Sequence, residues 1–239
     1  MALNPEAAPV LTIDGPSGAG KGAVSANVAR ALGWNVLDSG AVYRAVALAA
    51  LERGIETDDE AALVSLARYL PLTFRVGLDG IDVLLDGREI GDALRSEAVS
   101  VAASQVASIA PVRDALLALQ RQCRKPPGLV ADGRDMGTVV FPGAGLKVFL
   151  EAGVEERAKR RYKQLKEKGE SVKLARLLRD MQARDRRDRE RAVAPTVPAP
   201  DAVVVDSTTL SLPEVIERVL GLASERFGAS SSAKGNRAL

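Results

Sequence analysis

The sequence predicts an α/β fold in which helices flank a five-stranded parallel sheet. Five short apolar runs, rich in β-branched residues, recur along the chain and are separated by helical stretches. Runs that are apolar nearly throughout are typical of strands buried on both faces of a sheet, and therefore of parallel strands. Strands that alternate with helices favour a doubly wound domain. The length of 239 residues is sufficient for a sizeable core.

The predicted strands and helices follow one another in a regular order. Four of the five strands end in Asp, and parallel sheets bind ligands beyond the carboxyl ends of their strands. Helices are predicted over Lys21–Leu32 and Ala41–Arg53, because each helical stretch stops at a glycine. Ser211 and Glu214 have the spacing of a capping box that opens the last long helix. The predicted strands are Val10–Asp14, Trp34–Asp38, Leu129–Asp132, Leu146–Leu150 and Ala202–Asp206.

Two regions interrupt this alternation. Leu72–Val76 and Ile81–Leu85 have strand-like patterns on either side of a glycine-containing turn, which indicates a hairpin. A charged helical segment is broken near Gly169, and the proline-rich stretch from Pro195 to Pro200 leads from it to the last strand. We therefore expect one domain with a core over about 9–65, 107–154 and 193–228, an insert over about 66–106, a helical arm over about 155–192 and a disordered tail over about 229–239.

The residue types that the chain lacks exclude several kinds of active site. There is no His, which rules out histidine-based nucleophile relays and HExxH zinc sites. The single Cys, Cys123, cannot form an internal disulfide or a zinc cluster, and we interpret it as an ordinary thiol in a helical stretch. An enzyme of this composition works with carboxylates, arginines, lysine and backbone N–H groups, which suits the handling of phosphates.

The formal net charge of +2 hides an uneven distribution. Residues 155–191 contain 15 Lys and Arg against 8 Asp and Glu, so the arm is basic and the rest of the chain is acidic. A basic segment on an acidic body favours an anionic ligand. No apolar run approaches the ~18 residues of a membrane span, and the first residues lack the pattern of a secretory signal. We therefore expect a cytoplasmic protein without a membrane partner.

A glycine-rich loop between the first strand and the first helix predicts a phosphate-binding site. The pattern GxxxxGK in this position forms a nest of N–H groups at a helix N-terminus, and Lys21 reaches the β- and γ-phosphates of a nucleotide. Gly22 and Ala23 follow the lysine, so the usual hydroxyl that helps to hold Mg²⁺ is missing. Asp132, at a strand end, is the best candidate for magnesium, directly or through water. The predicted ATP-binding residues are Gly15, Pro16, Ser17, Gly18, Ala19, Gly20, Lys21, Gly22 and Ala23.

Four further segments carry a more specific resemblance. GTPases are disfavoured, because the chain has no guanine-reading NKxD motif. With the phosphate loop, the four segments closely resemble those of bacterial cytidylate kinases, and the resemblance covers nearly the whole chain, from about Val10 to about Arg226. It implies the P-loop kinase fold, with the insert binding a nucleotide and the arm acting as a lid. The segments are Leu37–Arg44, Ala102–Ala107 with Val112 and Arg113, Asp132–Thr138, and Arg184–Arg191.

The resemblance also implies an activity and its residues. The reaction would be ATP-dependent phosphorylation of CMP or dCMP to CDP or dCDP, with Mg²⁺, by a protein that is usually a monomer. The implied catalytic residues are Lys21, Arg134 and Arg191. The implied CMP-binding residues are Ser39, Arg44, Arg134 and Arg191 at the phosphate, Ser104, Arg113 and Asp135 at the cytosine, Arg184 and Asp188 at the sugar, and Tyr43. The implied lid arginines are Arg160 and Arg161.

Elementary chemistry agrees with these assignments. Phosphoryl transfer needs positioning and charge neutralisation, so it requires no His. A carboxylate accepts a hydrogen bond from the 4-amino group of cytosine, whereas uracil would place an oxygen against it. At about 100° per residue, Arg184, Asp188 and Arg191 share one sector of a helix and would face the same cleft.

Two alternatives remain open at this level. The first is a kinase for another small anion or nucleotide. The second is a nucleic-acid-binding protein or a regulatory ATP switch that uses the basic arm as its contact surface. The arm contains one Tyr and no other aromatic residue, so it lacks the stacking platforms of single-strand binders, which weakens the second alternative.

Overall fold

In a computed structural model, five parallel strands form the central sheet, in the order β2-β6-β1-β7-β8. The structure describes residues 8–78, 80–167, 169 and 171–228, apart from the side chains of residues 95 and 97. The predicted α/β architecture with a five-stranded parallel sheet is confirmed. The strands of this sheet and of the insert are β1 Val10–Asp14, β2 Asn35–Asp38, β3 Leu72–Val76, β4 Ile81–Leu85, β5 Arg88–Glu89, β6 Leu129–Gly133, β7 Leu146–Glu151 and β8 Val203–Asp206.

Strand β1 lies at the centre of the sheet, between β6 and β7, and all of its residues are buried. Strand β6 is buried throughout as well, as expected for parallel strands covered on both faces. In the register of the sheet, Asp14 lies beside Gly133 and Asp38 lies beside Asp132. The carboxyl ends of β1, β2 and β6 therefore meet at one edge, where the phosphate loop begins.

Eight α-helices are described, and two of their ends show how side chains determine the boundaries. The helix predicted to begin at Ala41 begins at Ser39, because the Asp38 carboxylate accepts the N–H of Ala41 at 2.8 Å and caps the first turn. The capping box of Ser211 and Glu214 is formed as predicted. The helices are α1 Lys21–Leu32, α2 Ser39–Glu52, α3 Glu60–Arg68, α4 Glu97–Val106, α5 Ala110–Gln122, α6 Val154–Glu167, α7 Leu174–Glu190 and α8 Leu212–Phe227.

The core forms two apolar clusters, one on each face of the sheet. Helices α1 and α8 cover the face onto which Leu11 and Ile13 of β1 project. Helices α2, α3, α4 and α5 cover the other face, which includes Val10. Side chains alternate along a strand, so Thr12 and Asp14 project toward the face covered by α2–α5.

The insert contains a three-stranded antiparallel sheet in the order β3-β4-β5. The hairpin of β3 and β4 agrees with the prediction from sequence, while the two-residue strand β5 was not predicted. Arg30 of α1 donates hydrogen bonds to the carbonyl oxygens of Gly77 and Leu78, which ties the turn of the hairpin to the helix that follows the phosphate loop.

The arm consists of α6 and α7, which pack against each other and are separated by a turn at Gly169, whose φ is +77°. Among the described residues, no helix has the length and apolarity required to cross a bilayer. The tail expected over about 229–239 lies outside the described residues.

Candidate active site

The phosphate loop connects β1 to α1 through three glycines with positive φ. Gly15 has φ +144°, and a Cβ there would collide with the Leu150 carbonyl oxygen. Gly18 and Gly20 have φ +80° and +91°, in the left-handed region that favours glycine. No side chain caps the N-terminus of α1, so its first N–H groups are available to an anion at the positive end of the helix dipole.

Lys21 is buried at the base of this loop. Its ammonium donates a hydrogen bond to the Pro16 carbonyl oxygen at 2.9 Å and lies 4.0 Å from Asp132 Oδ1. Burial lowers the pKa of Lys21, and the nearby positive charge of Arg134 lowers it further, whereas burial raises the pKa of Asp132. The pKa values of Lys21 and Asp132 therefore depend on burial and on the charge of each other.

Asp132, the predicted magnesium ligand, lies beside the start of α1. A Cβ on Gly22 would lie 3.5 Å from Asp132 Oδ2, so the carboxylate stands directly beside the turn that carries Gly22 and Ala23. Within the described part of the chain, no group of three or more His, Cys, Asp or Glu residues could hold a metal ion. A cation here would take most of its ligands from phosphate oxygens and water, as Mg²⁺ does in nucleotide-binding sites.

Three arginines near the carboxyl edge of the sheet have buried N–H groups without a hydrogen bond to any described residue: Arg134 Nε, Arg184 Nε and Arg191 Nη2. The first two lie 3.5 and 4.0 Å from Asp188 Oδ2, within ion-pair range only. Arg191 Nη2 lies 3.9 Å from Asp135 Oδ1. Buried donors without acceptors are costly, so this cluster is suited to an anion that supplies several oxygens.

Burial disfavours the charged form of two of these arginines. Burial lowers the pKa of Arg184 to about 10, with a further contribution from Arg134, and burial also lowers the pKa of Arg191. Arg44 joins the edge from α2, where it pairs with Asp38 at 2.9 Å. Ser39 is also buried. Its hydroxyl lies beside Gly133 at the end of β6, where an added Cβ would approach it to 2.7 Å.

A second group of polar side chains, which we call the polar cluster, includes Asp135 beside Arg191. Arg113 of α5 forms a buried ion pair with Asp135 and donates to the Ala107 carbonyl oxygen at 3.1 Å. The guanidinium of Arg113 lies over the ring of Tyr43, 5.4 Å from its centroid. Burial raises the pKa of Asp135, which Arg113 opposes. Ser104 is half-buried on α4.

The arm closes over the phosphate loop through a residue that the sequence did not single out. Arg157 of α6 is buried, donates to the Ser17 carbonyl oxygen at 2.8 Å and makes a bidentate pair with Asp185 of α7. A Cβ on Gly18 would approach Met181 of α7 to 2.8 Å, which shows how closely the arm covers the loop. In the sequence, Arg157 is one of many charged residues of the arm, and its burial is seen only in the structure.

Arg160 and Arg161 of α6 are the two arginines predicted to belong to a lid. Arg160 donates to the Ser207 carbonyl oxygen at 2.7 Å and pairs with Glu156 at 3.2 Å, so it binds the end of β8 rather than the phosphate loop. Arg161 is exposed. Their role in a lid remains a prediction.

Asp14, the last residue of β1, is a further functional candidate that the sequence analysis treated only as a strand end. Its carboxylate accepts the N–H groups of Met136 and Gly137 at 2.8 and 2.7 Å. Burial raises the pKa of Asp14 to about 6, which the two N–H groups oppose. In the sequence, Asp14 is recognisable as the acidic residue directly before the phosphate loop. Its hydrogen-bond partners are not, because they lie more than 120 residues away in the chain.

A cleft of about 600 Å³ opens on the arm side of the phosphate loop. It lies between α7 and the carboxyl ends of β7 and β8. Among the residues that line it are Pro16, Arg157, Asp185, Asp206 and Thr208.

Several known proteins are similar to this chain. The family model described as cytidylate kinase matches residues 11–225. A cytidylate kinase of Aeromonas hydrophila is 54% identical over 228 residues, 95% of this chain and 99% of that protein. One from Escherichia coli O1:K1 is 55% identical over 220 residues, 92% of this chain and 97% of that protein. Among solved structures, shikimate kinase from Acinetobacter baumannii in complex with shikimate aligns at 18% identity with a TM-score of 0.42, over 92% of this chain and 95% of that chain.

The connection through Arg157 predicts that Arg157→Met loosens the arm. The substitution keeps an apolar stem but leaves Asp185 and the Ser17 carbonyl without their donor, at a cost of about 2 kcal/mol of stability. Hydrogen exchange should become faster over α7 and the phosphate loop and stay unchanged over α8. Lys163→Met is the matched control, because Lys163 lies on the same helix in an exposed pair with Glu167. Equal exchange profiles in the two variants would contradict the role of Arg157.

Proposed function

The chain belongs to the cytidylate kinase family, and we propose that it transfers the γ-phosphoryl group of ATP directly, by in-line displacement, to CMP and to dCMP with Mg²⁺ as cofactor. Phosphorylation of CMP by ATP is the activity of this family, and the chain is a nucleoside monophosphate kinase. The finer proposal concerns the second acceptor, the metal, the mechanism and the residues that carry them.

The observation that carries the proposal is the set of buried N–H groups of Arg134, Arg184 and Arg191 that have no hydrogen-bond acceptor among the described residues. They converge near the carboxyl edge of the sheet, where the carboxylates of Asp188 and Asp135 lie within ion-pair distance of them. A nucleotide phosphate would supply the missing acceptors and the missing negative charge. We assign the CMP phosphate to Ser39, Arg44, Arg134 and Arg191, and the sugar hydroxyls to Arg184 and Asp188.

The donor binds on the other side of the same edge. The N–H groups of residues 15–23 and the ammonium of Lys21 would hold the phosphates of ATP, and the cleft of about 600 Å³ beside Pro16 has room for its nucleoside. When bound, Mg²⁺ would neutralise charge on the β- and γ-phosphates. Asp132 would hold it, directly or through water, because Ala23 offers no hydroxyl.

The polar cluster would select the base. Asp135 would accept a hydrogen bond from the 4-amino group of cytosine, Arg113 and Ser104 would donate to N3 or O2, and Tyr43 would lie beside the base. In uracil the 4-oxygen would face the Asp135 carboxylate, and two acceptors would repel each other in a buried site. The pair of Asp135 and Arg113 would thus distinguish the two pyrimidines.

The insert and the arm would close over the site. We assign residues of about 66–106 to a CMP-binding insert and residues of about 155–192 to a lid, with Arg160 and Arg161 available to the transferred phosphate once the lid moves. Closure excludes water that would otherwise hydrolyse ATP. From the family resemblance we expect the protein to act as a monomer in the cytoplasm.

A substrate panel tests the proposal. ADP formation from ATP·Mg²⁺ should be stimulated strongly by CMP and dCMP, and little by UMP or AMP. Single-stranded RNA should have no effect. Stimulation by RNA alone, or equal rates with all four monophosphates, would overturn the proposal, and the first result would favour a nucleic-acid-dependent switch.

The position of Lys21 predicts a defect in transfer rather than in acceptor binding. Lys21→Met keeps the aliphatic stem but removes the ammonium that would neutralise the β- and γ-phosphates, so kcat should fall by at least about a hundredfold. The affinity for CMP, measured by calorimetry, should change by less than about threefold. Lys159→Met, on the exposed face of α6, is the control and should change neither quantity. A variant that loses CMP binding but retains transfer would refute the assigned role.

The missing hydroxyl at Ala23 predicts a measurable effect on metal use. Ala23→Thr restores the usual ligand and should lower the Mg²⁺ concentration for half-maximal activity by about threefold or more. Ala23→Val has the same shape without the hydroxyl and should leave that concentration unchanged. Identical magnesium dependence in the two variants would show that the hydroxyl is irrelevant in this loop.

A further inference from the structure

Asp135 lies at a helix N-cap, but its side chain does not cap the helix. It is the N-cap of the one-turn π-helix Met136–Val140, and an Asp at an N-cap commonly accepts N–H groups of its own helix. Here the side chain of Asp135 makes no such bond. Its carboxylate instead faces Arg113 and Arg191.

The capping is supplied from another strand. Asp14 Oδ1 accepts the N–H of Met136 at 2.8 Å, and Asp14 Oδ2 accepts the N–H of Gly137 at 2.7 Å. Both hydrogen bonds are buried, and Asp14 itself is 5% exposed. The first two N–H groups of the short helix are therefore satisfied without Asp135.

We propose that Asp14 is a positioning residue that determines base specificity: by capping the helix after Asp135, it leaves the Asp135 carboxylate free to face Arg113 and the base. The inference rests on the proposed function, in which Asp135 distinguishes cytosine from uracil. Without the Asp14 carboxylate, the N–H groups of Met136 and Gly137 would compete with Arg113 for Asp135, because buried N–H groups need an acceptor.

The packing of the loop supports this role. A Cβ on Gly137 would lie 3.0 Å from Thr12 Oγ1, 3.1 Å from Lys147 Cδ and 3.3 Å from Asp14 Oδ2, so the loop is seated directly on the sheet. Asp14 also precedes Gly15, the first residue of the phosphate loop. One side chain thus fixes the base-reading loop relative to the loop that would bind ATP.

The chemistry requires a carboxylate rather than an amide. Both oxygens of Asp14 act as acceptors, one for each N–H group. An asparagine of the same shape has one acceptor oxygen, and its NH₂ group would face the other peptide N–H, donor against donor. Asp14→Asn is therefore a minimal change that disturbs the capping with little change in volume.

The test measures the ratio of kcat/KM for CMP to kcat/KM for UMP, because a general loss of activity affects both substrates and leaves the ratio unchanged. Asp14→Asn should lower this ratio by about tenfold or more. Asp59→Asn is the matched control, since the carboxylate of Asp59 also accepts a backbone N–H, that of Ala62, at the exposed start of α3. The control should retain the wild-type ratio, and the same ratio in both variants would overturn the inference.

A double-mutant cycle separates this inference from the proposed function. If Asp135→Ala leaves the ratio unchanged, Asp135 does not read the base and the proposed base selection fails. If Asp135→Ala lowers the ratio and Asp14→Asn does not, only the role of Asp14 fails. We expect both to lower it and the double variant to lose no more than Asp135→Ala alone, since Asp14 acts through Asp135. A further, additive loss would overturn the inference.

A second variant applies if Asp14→Asn does not fold. Gly137→Ala retains the carboxylate but lifts the loop away from Thr12 and Asp14, so it should lower the ratio as well. Gly143→Ala is its control, because a Cβ at Gly143 would meet no atom within 4 Å. A wild-type ratio in folded Gly137→Ala would contradict the inference.

Discussion

The burial of charge at the carboxyl edge of one parallel sheet is the constraint on which the rest of the structure depends. Strands β1 and β2 end in Asp14 and Asp38, Asp132 is the next-to-last residue of β6, and the phosphate loop adds Lys21 beside them. Charges removed from water are costly unless they are paired or hydrogen-bonded. Each carboxylate accordingly has a defined partner: Asp14 the two N–H groups, Asp38 the guanidinium of Arg44 and a helix terminus, and Asp132 the ammonium of Lys21. The arginines that remain only partly satisfied are the ones that would face substrate.

The arm is part of the same electrostatic arrangement. Arg134 comes from the core, while Asp188, its ion-pair partner, comes from α7, so an ion pair connects the edge of the sheet to the arm. Arg157 adds a second connection, from the Ser17 carbonyl oxygen of the phosphate loop to Asp185. In the proposed function, substrate phosphates would compete with Asp188 for Arg134. Substrate binding and movement of the arm would then be linked through this shared guanidinium group.

Local patterns were sufficient to predict the sheet and the phosphate loop, because both depend on neighbouring residues in the chain. The apolar runs place all five strands to within about two residues, and the glycines with the following lysine identify the loop. Strand β5 was missed because its two residues, Arg88 and Glu89, are charged and exposed, so they carry no apolar pattern. The contacts of Asp14 and Arg157 were missed because their partners are distant in the chain. The family resemblance predicts the site residues, whereas the position of Arg160 against Ser207 is seen only in the structure.

The same constraint explains why a chain without histidine suits this chemistry. Burial lowers the pKa of Arg184 only to about 10, so the guanidinium keeps its charge at neutral pH. An imidazole, with an ordinary pKa near 6.5, would lose its charge under the same burial, and a lysine is more vulnerable than an arginine, as the lowered pKa of Lys21 illustrates. Lys21 retains Asp132, Asp14 and Asp38 nearby, and each of them favours its charged form. The three carboxylates and the lysine thus form one electrostatic unit, in which each carboxylate favours the charged form of Lys21 and opposes the effect of burial on its pKa.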